Sequence, residues 1–193
     1  GNTGMVYSAF RPSDDSCTYG YLIPSNLFFM SELRKMNVPK LSSIASELAG
    51  EIHDGITKFG LIQGKFAYEV DGLGNAQWMD DANVPSLLSL PYLEVLPADN
   101  SEYQKTRAFV LSEANPYFFS GASVKGVGSQ HTPPNHVWPI SIAMEALTSN
   151  DLGKQLRALE TLEATDAGTG RMHESFHVDN PSKFTREWFS WSD

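Results

Sequence analysis

Cysteine is almost absent from this chain, and so are other features that would point to particular functions. Cys17 is the single cysteine among 193 residues, so no internal disulfide can form. Runs of lysine or arginine are missing and the net charge is −9, which makes nucleic acids and anionic membrane surfaces poor partners. No apolar run approaches the roughly 20 residues that a membrane-spanning helix needs. We therefore predict neither nucleic-acid nor membrane binding, and the compartment stays undetermined.

The chain has enough apolar residues for a packed domain, because 41% of its residues are hydrophobic and 11% are aromatic. Apolar spacing of three and four residues, together with proline positions, predicts helices in these segments: 24–36, 41–56, 86–90 (opening a helix), 101–111, 139–147, 152–164 and the aromatic segment after Pro181. Residues 66–70 predict a short strand and turn. Helices joined by long loops, without a β-α-β rhythm, predict an all-α toroid of helix pairs with a minor β-hairpin.

The densest group of ionisable side chains lies in the loop 166–181, which contains two histidines, three carboxylates and an arginine. Loops of this kind carry chemistry when a rigid scaffold positions them. Within it, His173–His177 matches the zinc-peptidase signature H-E-x-x-H, in which both histidines bind zinc from one continuous helix. Paired glycines before the match and Pro181 after it interrupt such a helix. A zinc peptidase is therefore the weakest alternative.

Carboxylates recur in three motifs, Asp14–Asp15, Asp80–Asp81 and the Glu174 that follows a histidine. Like charges at short range cannot both ionise easily, so one carboxyl can stay protonated and donate to a leaving group, while a carboxylate across the pocket activates water. Nearby residues offer apolar faces and hydroxyl partners to a sugar: Trp78, Trp138, Tyr19, Tyr117, Asn83, Arg11 and His131. The alternative is structural, with each acidic pair capping a helix or pairing with an arginine. Three such motifs together favour a glycosidase.

Several long motifs in this chain resemble glycoside hydrolase family 125, and they occur in the family's order. They are 10–15 (FRPSDD), 21–26 (YLIPSN), 68–75 (YEVDGLGN), 79–88 (MDDANVPSLL), 131–134 (HTPP) and 166–191 (beginning DAGTG). The resemblance implies an (α/α)6 barrel and a metal-independent, inverting exo-α-1,6-mannosidase that needs no cofactor. It also implies a mannose-containing oligosaccharide or N-glycan as the substrate.

The resemblance also implies roles for individual residues. Glu174 matches the family's general base, and the general acid is Asp14 or Asp15, with Asp14 preferred. The remaining polar residues of the motifs would hold mannose hydroxyls or orient the two catalytic groups: Arg11, Asp80, Asp81, Asn83, His131 and His177. An inverting pair should face one cavity at a separation of about 6.5–9.5 Å, against about 5–5.5 Å for a retaining pair.

Members of the family are about twice as long as this chain. We therefore expect residues 1–193 to be the C-terminal half of a catalytic domain, with helices of the N-terminal half missing. Half of a barrel should expose the apolar helix faces that meet the other half. The second interpretation is a carbohydrate-binding remnant without catalysis.

Overall fold

A computed structural model describes residues 2–192. Within them the chain forms five α-helices: α1 (Ile23–Lys35), α2 (Ser42–Gly55), α3 (Ser101–Val110), α4 (Pro139–Leu147) and α5 (Leu152–Ala164). All five occur where the sequence predicts them. A π-helical turn, Ile56–Gly60, continues α2. In the same part of the chain, no helix combines the length and the apolar character needed to cross a membrane.

Local signals account for where the helices begin. Pro24 and Pro139 stand in the first turns of α1 and α4, where a proline costs no hydrogen bond. Asn100 and Asp151 cap α3 and α5, and each side chain accepts a hydrogen bond from a backbone N–H in the first turn. These signals depend only on neighbouring residues, so the sequence reveals them.

Within residues 2–192 the strands are more numerous than the predicted hairpin, and they form four small antiparallel sheets. The strands are β1 Tyr21–Leu22, β2 Leu61–Ile62, β3 Lys65–Phe66, β4 Glu69–Val70, β5 Ala76–Gln77, β6 Phe118–Ser120, β7 Lys125–Val127, β8 His136–Val137, β9 Phe176–His177 and β10 Asn180–Phe184. Two sheets have three strands, ordered β1-β4-β5 and β10-β9-β8, and two are hairpins, β2-β3 and β6-β7. The description of the fold as all-α is therefore too simple, because short strands connect and brace the helices.

Two predicted helices are wrong. Where a helix was predicted after Pro181, the chain forms β10, which includes Pro181 and pairs with β9, and then a series of turns. Proline is tolerated on an edge strand as well as in the first turn of a helix, so this signal was ambiguous. Residues 86–90 form turns, in which the Ser89 hydroxyl accepts from the Ser86 N–H and donates to the Ser86 carbonyl oxygen. Serine side chains that bond to nearby backbone compete with helix formation in this way.

The largest core lies among α1, α2, α3 and strands β1–β5. The side chains of α1 and α2 pack together there with Tyr68, Met79 and Tyr103, all of which are fully buried. A smaller core under α4 and α5 contains Val137 and Phe176. Loops from both layers meet at one cavity.

Candidate active site

Loops from both layers line a cavity of about 360 Å³. Trp138 lines it, as do four of the polar residues selected from the sequence, namely Asp14, Asn83, His131 and Glu174. They come from four separate loops, so the fold brings together residues that are up to 160 positions apart. A concave site with a few convergent polar groups is the usual form of a small-ligand site.

Asp14 reaches the cavity from a tight turn. Its backbone N–H donates to the carbonyl oxygen of Arg11 at 3.1 Å, and its φ of +68° is in the left-handed region. Aspartate tolerates this conformation better than most residues, yet the conformation still costs free energy that the surrounding structure must supply. Asp14 is exposed at the cavity surface, so its carboxyl group is accessible to a ligand.

Asp15 is oriented differently, although it is the next residue. Its Oδ2 atom accepts a hydrogen bond from the Ser13 hydroxyl at 2.8 Å and lies 3.5 Å from Nδ1 of His131. Asp15 is not among the residues that line the cavity. The structure thus separates the two aspartates, with Asp14 facing the cavity and Asp15 supporting His131 from behind.

Arg11 was predicted to bind substrate, but it lies below the cavity. Its Nε atom donates to Oε1 of Glu69 at 2.6 Å, and both side chains are buried. The other carboxylate oxygen of Glu69 accepts from the backbone N–H groups of Thr18 and Tyr19. Nη1 of Arg11 donates to Gln130, which precedes His131. This buried ion pair fixes the turn that carries Asp14 to the core and ties it to the loop of His131.

Asp80 and Asp81 are also buried beneath the cavity and do not line it. The two oxygens of Asp80 accept from the N–H groups of Leu87 and Leu88 at 2.8 and 2.9 Å. Burial raises the pKa of Asp80 to about 8, while these two backbone donors pull it downward. Asp80 therefore holds the turns at 86–90.

Asp81 orients the residue of this loop that does reach the cavity. One of its oxygens accepts from the backbone and side-chain N–H groups of Asn83, and the other accepts from the Ser129 hydroxyl at 2.7 Å. Burial raises the pKa of Asp81, and the hydrogen bonds from Asn83 oppose that shift. The carboxylate fixes the amide of Asn83 against the 129–131 loop.

Glu174 enters the cavity from the irregular segment just before β9, and its side chain is only 7% exposed. Its Oε1 atom lies 3.3 Å from Nε of Arg186, a residue that sequence reasoning missed. The Arg186 guanidinium also lies 5.8 Å from the centre of the Phe189 ring. Arg186 lines the same cavity, so Glu174 and its counter-charge face the ligand space together.

His173 and His177 do not form the helical pair that zinc peptidases use, because the chain is irregular at His173 and extended at His177. Nδ1 and Nε2 of His173 lie 2.7 and 3.2 Å from the carbonyl oxygens of Glu187 and Asp166, and the buried ring stacks on Phe184. Both nitrogens therefore have partners in the protein. Throughout residues 2–192, no three His, Cys, Asp or Glu side chains are grouped to bind a metal. The described residues therefore lend the zinc-peptidase alternative no support.

His177 was predicted to hold substrate, but it lies outside the cavity. It belongs to β9, where its Nδ1 accepts from the backbone N–H of Asp179 and its ring meets that of His136 edge to face at 5.4 Å. These contacts are structural, since they join β8 to β9 and close the turn before β10. The structure therefore does not bring His177 to the cavity that Glu174 lines.

Aromatic side chains supply the rest of the wall. Trp138 is buried at the cavity floor, and its indole N–H donates to the Thr132 hydroxyl at 2.8 Å. Trp188, Phe189 and Trp191 also line the cavity and were not singled out as site residues. The density of aromatics at the end of the chain was the available signal, but it was interpreted as an anchoring helix.

Comparison with known proteins gives one consistent result. A family model described as metal-independent α-mannosidase (GH125) matches residues 1–193. The meiotically up-regulated gene 157 protein of Schizosaccharomyces pombe is 42% identical over 205 residues, an alignment that covers 100% of this chain and 40% of that protein.

Among solved structures, the chain resembles one from work on metal-independent α-mannosidases and the processing of N-linked glycans. That structure is a Streptococcus pneumoniae complex with α-1,6-mannobiose, described as non-productive. The TM-score is 0.93 and the identity 46%, with 98% of this chain and 48% of the other covered. The chain therefore spans less than half the length of either relative. On the match over residues 1–193, it belongs to glycoside hydrolase family 125, the metal-independent α-mannosidases.

Proposed function

We propose that the full-length protein is a metal-independent, inverting exo-α-1,6-mannosidase that removes terminal mannose from oligosaccharides such as N-glycans. The observation that carries this proposal is the placement of Asp14 and Glu174 on two different loops that line one cavity. The family match and the similarity to a protein seen with α-1,6-mannobiose support the choice of substrate. We further propose that residues 1–193 form the C-terminal half of the catalytic domain, an (α/α)6 barrel in the full-length protein.

In the proposed reaction Glu174 is the general base and Asp14 the general acid. Glu174 removes a proton from a water molecule as the water oxygen attacks the anomeric carbon. The bond from that carbon to the glycosidic oxygen breaks on the opposite face, and Asp14 transfers its proton to the departing oxygen. One water is consumed and two hydroxyl groups are formed. Because a water must fit between base and sugar, we expect the carboxyl groups to stand about 6.5–9.5 Å apart in the substrate complex.

The neighbouring residues fit supporting roles. Asn83 and His131 line the cavity and are held by Asp81 and Asp15, so their polar atoms are available to mannose hydroxyls in fixed orientations. Arg186 lies beside Glu174 and keeps its carboxylate oriented. Pre-organised groups of this kind lower a barrier because they need no rearrangement when the reaction occurs.

Substitution of the two carboxyl groups in the full-length gene product tests the proposal. Glu174→Gln and Asp14→Asn keep the shape but remove the proton acceptor or donor, so turnover of α-1,6-mannobiose should fall by about 10²–10⁴-fold. Mannobiose binding, measured by calorimetry, should largely survive. Glu187→Gln is the matched control, because Glu187 is an exposed glutamate of the same segment. Binding without turnover in the wild type would favour the carbohydrate-binding alternative, and full activity in Glu174→Gln would refute the mechanism.

A further inference from the structure

The last turns of the chain place three aromatic rings on one side of the cavity. Phe189 contacts the ring of Trp138 edge to face at 5.5 Å, and its backbone N–H donates to the carbonyl oxygen of Met172 at 2.9 Å. Trp191 lies beside Phe189, with ring centres 5.4 Å apart. Trp188 lines the same cavity. Contacts with Met172 and Trp138 therefore attach this segment to the chain just before Glu174 and to the cavity floor.

Exposure differs widely among the residues that line the cavity, so we take its buried members as the closed end and its exposed members as the open end. Trp138 and Glu174 are only 1% and 5% exposed, whereas Trp188 and Trp191 are 56% and 61% exposed although they line the same space. Asp14 also belongs to the exposed residues. Large indole rings left open to solvent at the rim of a polar cavity are unusual unless they meet a partner.

The difference in side-chain exposure between the closed and open ends of the cavity matches what the proposed reaction requires of each end. An enzyme that removes terminal mannose holds that sugar at the closed end, next to the base and its water. The rest of the oligosaccharide has to leave through the open end. The general acid must reach the oxygen between the two sugars, which agrees with the exposed position of Asp14.

We propose that Trp188 and Trp191 bind the sugar on the leaving-group side of the scissile bond and so select an oligosaccharide over a simple mannoside. This inference rests on the proposed mannosidase function. The C–H groups on one face of a pyranose carry partial positive charge, and the face of an indole ring carries partial negative charge, so the two surfaces attract when they stack. Phe189, with its ring against Trp138 and Arg186, supports the wall from below.

Other aromatics suggested by the sequence are engaged elsewhere. Trp78 packs edge to face on Phe109 at 5.9 Å and receives the Lys65 ammonium at 4.5 Å from its ring centre. Tyr19 and Tyr117 do not line the cavity. Trp188 and Trp191 are thus the tryptophans of the cavity wall that offer open ring area, since Trp138 is buried.

The test compares two substrates that differ only beyond the scissile bond, using the full-length gene product. α-1,6-Mannobiose has a leaving sugar, and α-mannosyl fluoride has none. For Trp188→Ala and Trp191→Ala we expect kcat/KM for mannobiose to fall by about 5- to 30-fold, the range seen when an important aromatic contact is truncated. The value for the fluoride should stay within about twofold, since loss of a contact to the leaving sugar leaves the terminal mannose undisturbed. Trp188→Phe should recover most of the loss, because a ring remains.

Tyr92→Ala is the matched control, since Tyr92 is 53% exposed and lies outside the cavity wall. Equal losses on both substrates, or no loss on either, would overturn the proposal. Calorimetry provides a second measurement that does not depend on turnover. The wild type should bind mannobiose more tightly than mannose, and both alanine variants should lose this preference. A wild type that cleaves neither substrate would refute the proposed function, whereas the calorimetric preference would still decide the role of the two tryptophans.

Discussion

Helices α1 and α5 have the same length, 13 residues, yet they are packed very differently. α1 buries seven residues in the core with α2, α3 and the first sheets, whereas α5 buries only Ala158. Leu152, Leu156 and Leu159 of α5 are 67%, 51% and 62% exposed, and their spacing of four and three residues places them on one face. We call the layer around α1–α3 the N-terminal core, and the layer of α4, α5 and β8–β10 the C-terminal layer.

The difference between these layers bears on the active site, because each layer contributes one of the two proposed catalytic residues. Asp14 is attached to the N-terminal core through the buried pair of Arg11 and Glu69. Glu174 belongs to the C-terminal layer, and its partner Arg186 has a side chain that is 60% exposed. One half of the site is therefore built on a thick core, and the other half depends on a thinner one.

The largest expected effect concerns the two aspartates of the N-terminal side. Asp14→Asn should lower kcat/KM for α-1,6-mannobiose by about 10²–10⁴-fold, because the departing oxygen loses its proton donor. Asp15→Asn should cost less than about tenfold, since Asp15 contacts Ser13 and His131 rather than the cavity. Assays with 4-nitrophenyl α-mannoside check the assignment, because a good leaving group needs little protonation and should rescue Asp14→Asn. Equal losses of kcat/KM for mannobiose in the two variants would contradict the assignment of Asp14, rather than Asp15, as the general acid.

The next largest effect concerns the buried ion pair of Arg11 and Glu69, which holds the Asp14 turn. Glu69→Gln leaves the buried Arg11 guanidinium without a counter-charge, so the free energy of unfolding should fall by about 3–5 kcal/mol. Urea denaturation of the full-length gene product measures the loss. Glu187→Gln serves as the control, because its partner Arg171 is exposed and exposed pairs contribute little. Unchanged stability in Glu69→Gln would mean that the pair does not secure the Asp14 turn.

The smallest effect concerns α5. The chain spans less than half the length of its relatives, and we expect the remainder of the full-length protein to cover the exposed leucine face. Leu156→Ala in the full-length gene product should then cost about 2 kcal/mol or more, as for a buried leucine. Thermal unfolding compares it with Arg157→Ala, an exposed position roughly 100° around the same helix from Leu156. Equal melting temperatures would indicate that α5 stays open to solvent.

The sequence predicted the parts of the fold that depend on neighbouring residues, and missed those that depend on residues far apart in the chain. The starts of α4 and α5 were predicted correctly, because Pro139 and the cap at Asp151 act on adjacent residues. The helix predicted after Pro181 was wrong, because the pairing of this segment with β9 depends on contacts that no local signal encodes. Arg11 was assigned to substrate for the same reason, since its partner Glu69 is 58 positions away.

The candidate site divides in the same way. Glu174, Asp14, Asn83 and His131 were identified from motifs, and they line one cavity. Arg186 was missed because no motif marks it. It comes close to Glu174 only because the chain turns back between β9 and β10, which the sequence did not predict. Residue type and order indicated the chemistry, while the orientation of each side chain required the structure.

The most direct test of the central claim is the configuration of the first product. Proton NMR of the full-length gene product acting on α-1,6-mannobiose in D2O distinguishes the anomers of free mannose before they interconvert. Attack by a water that Glu174 activates, on the face opposite to Asp14, predicts that β-mannose appears first and the α anomer follows by mutarotation. Initial release of α-mannose would contradict the account, because it would require a retaining mechanism.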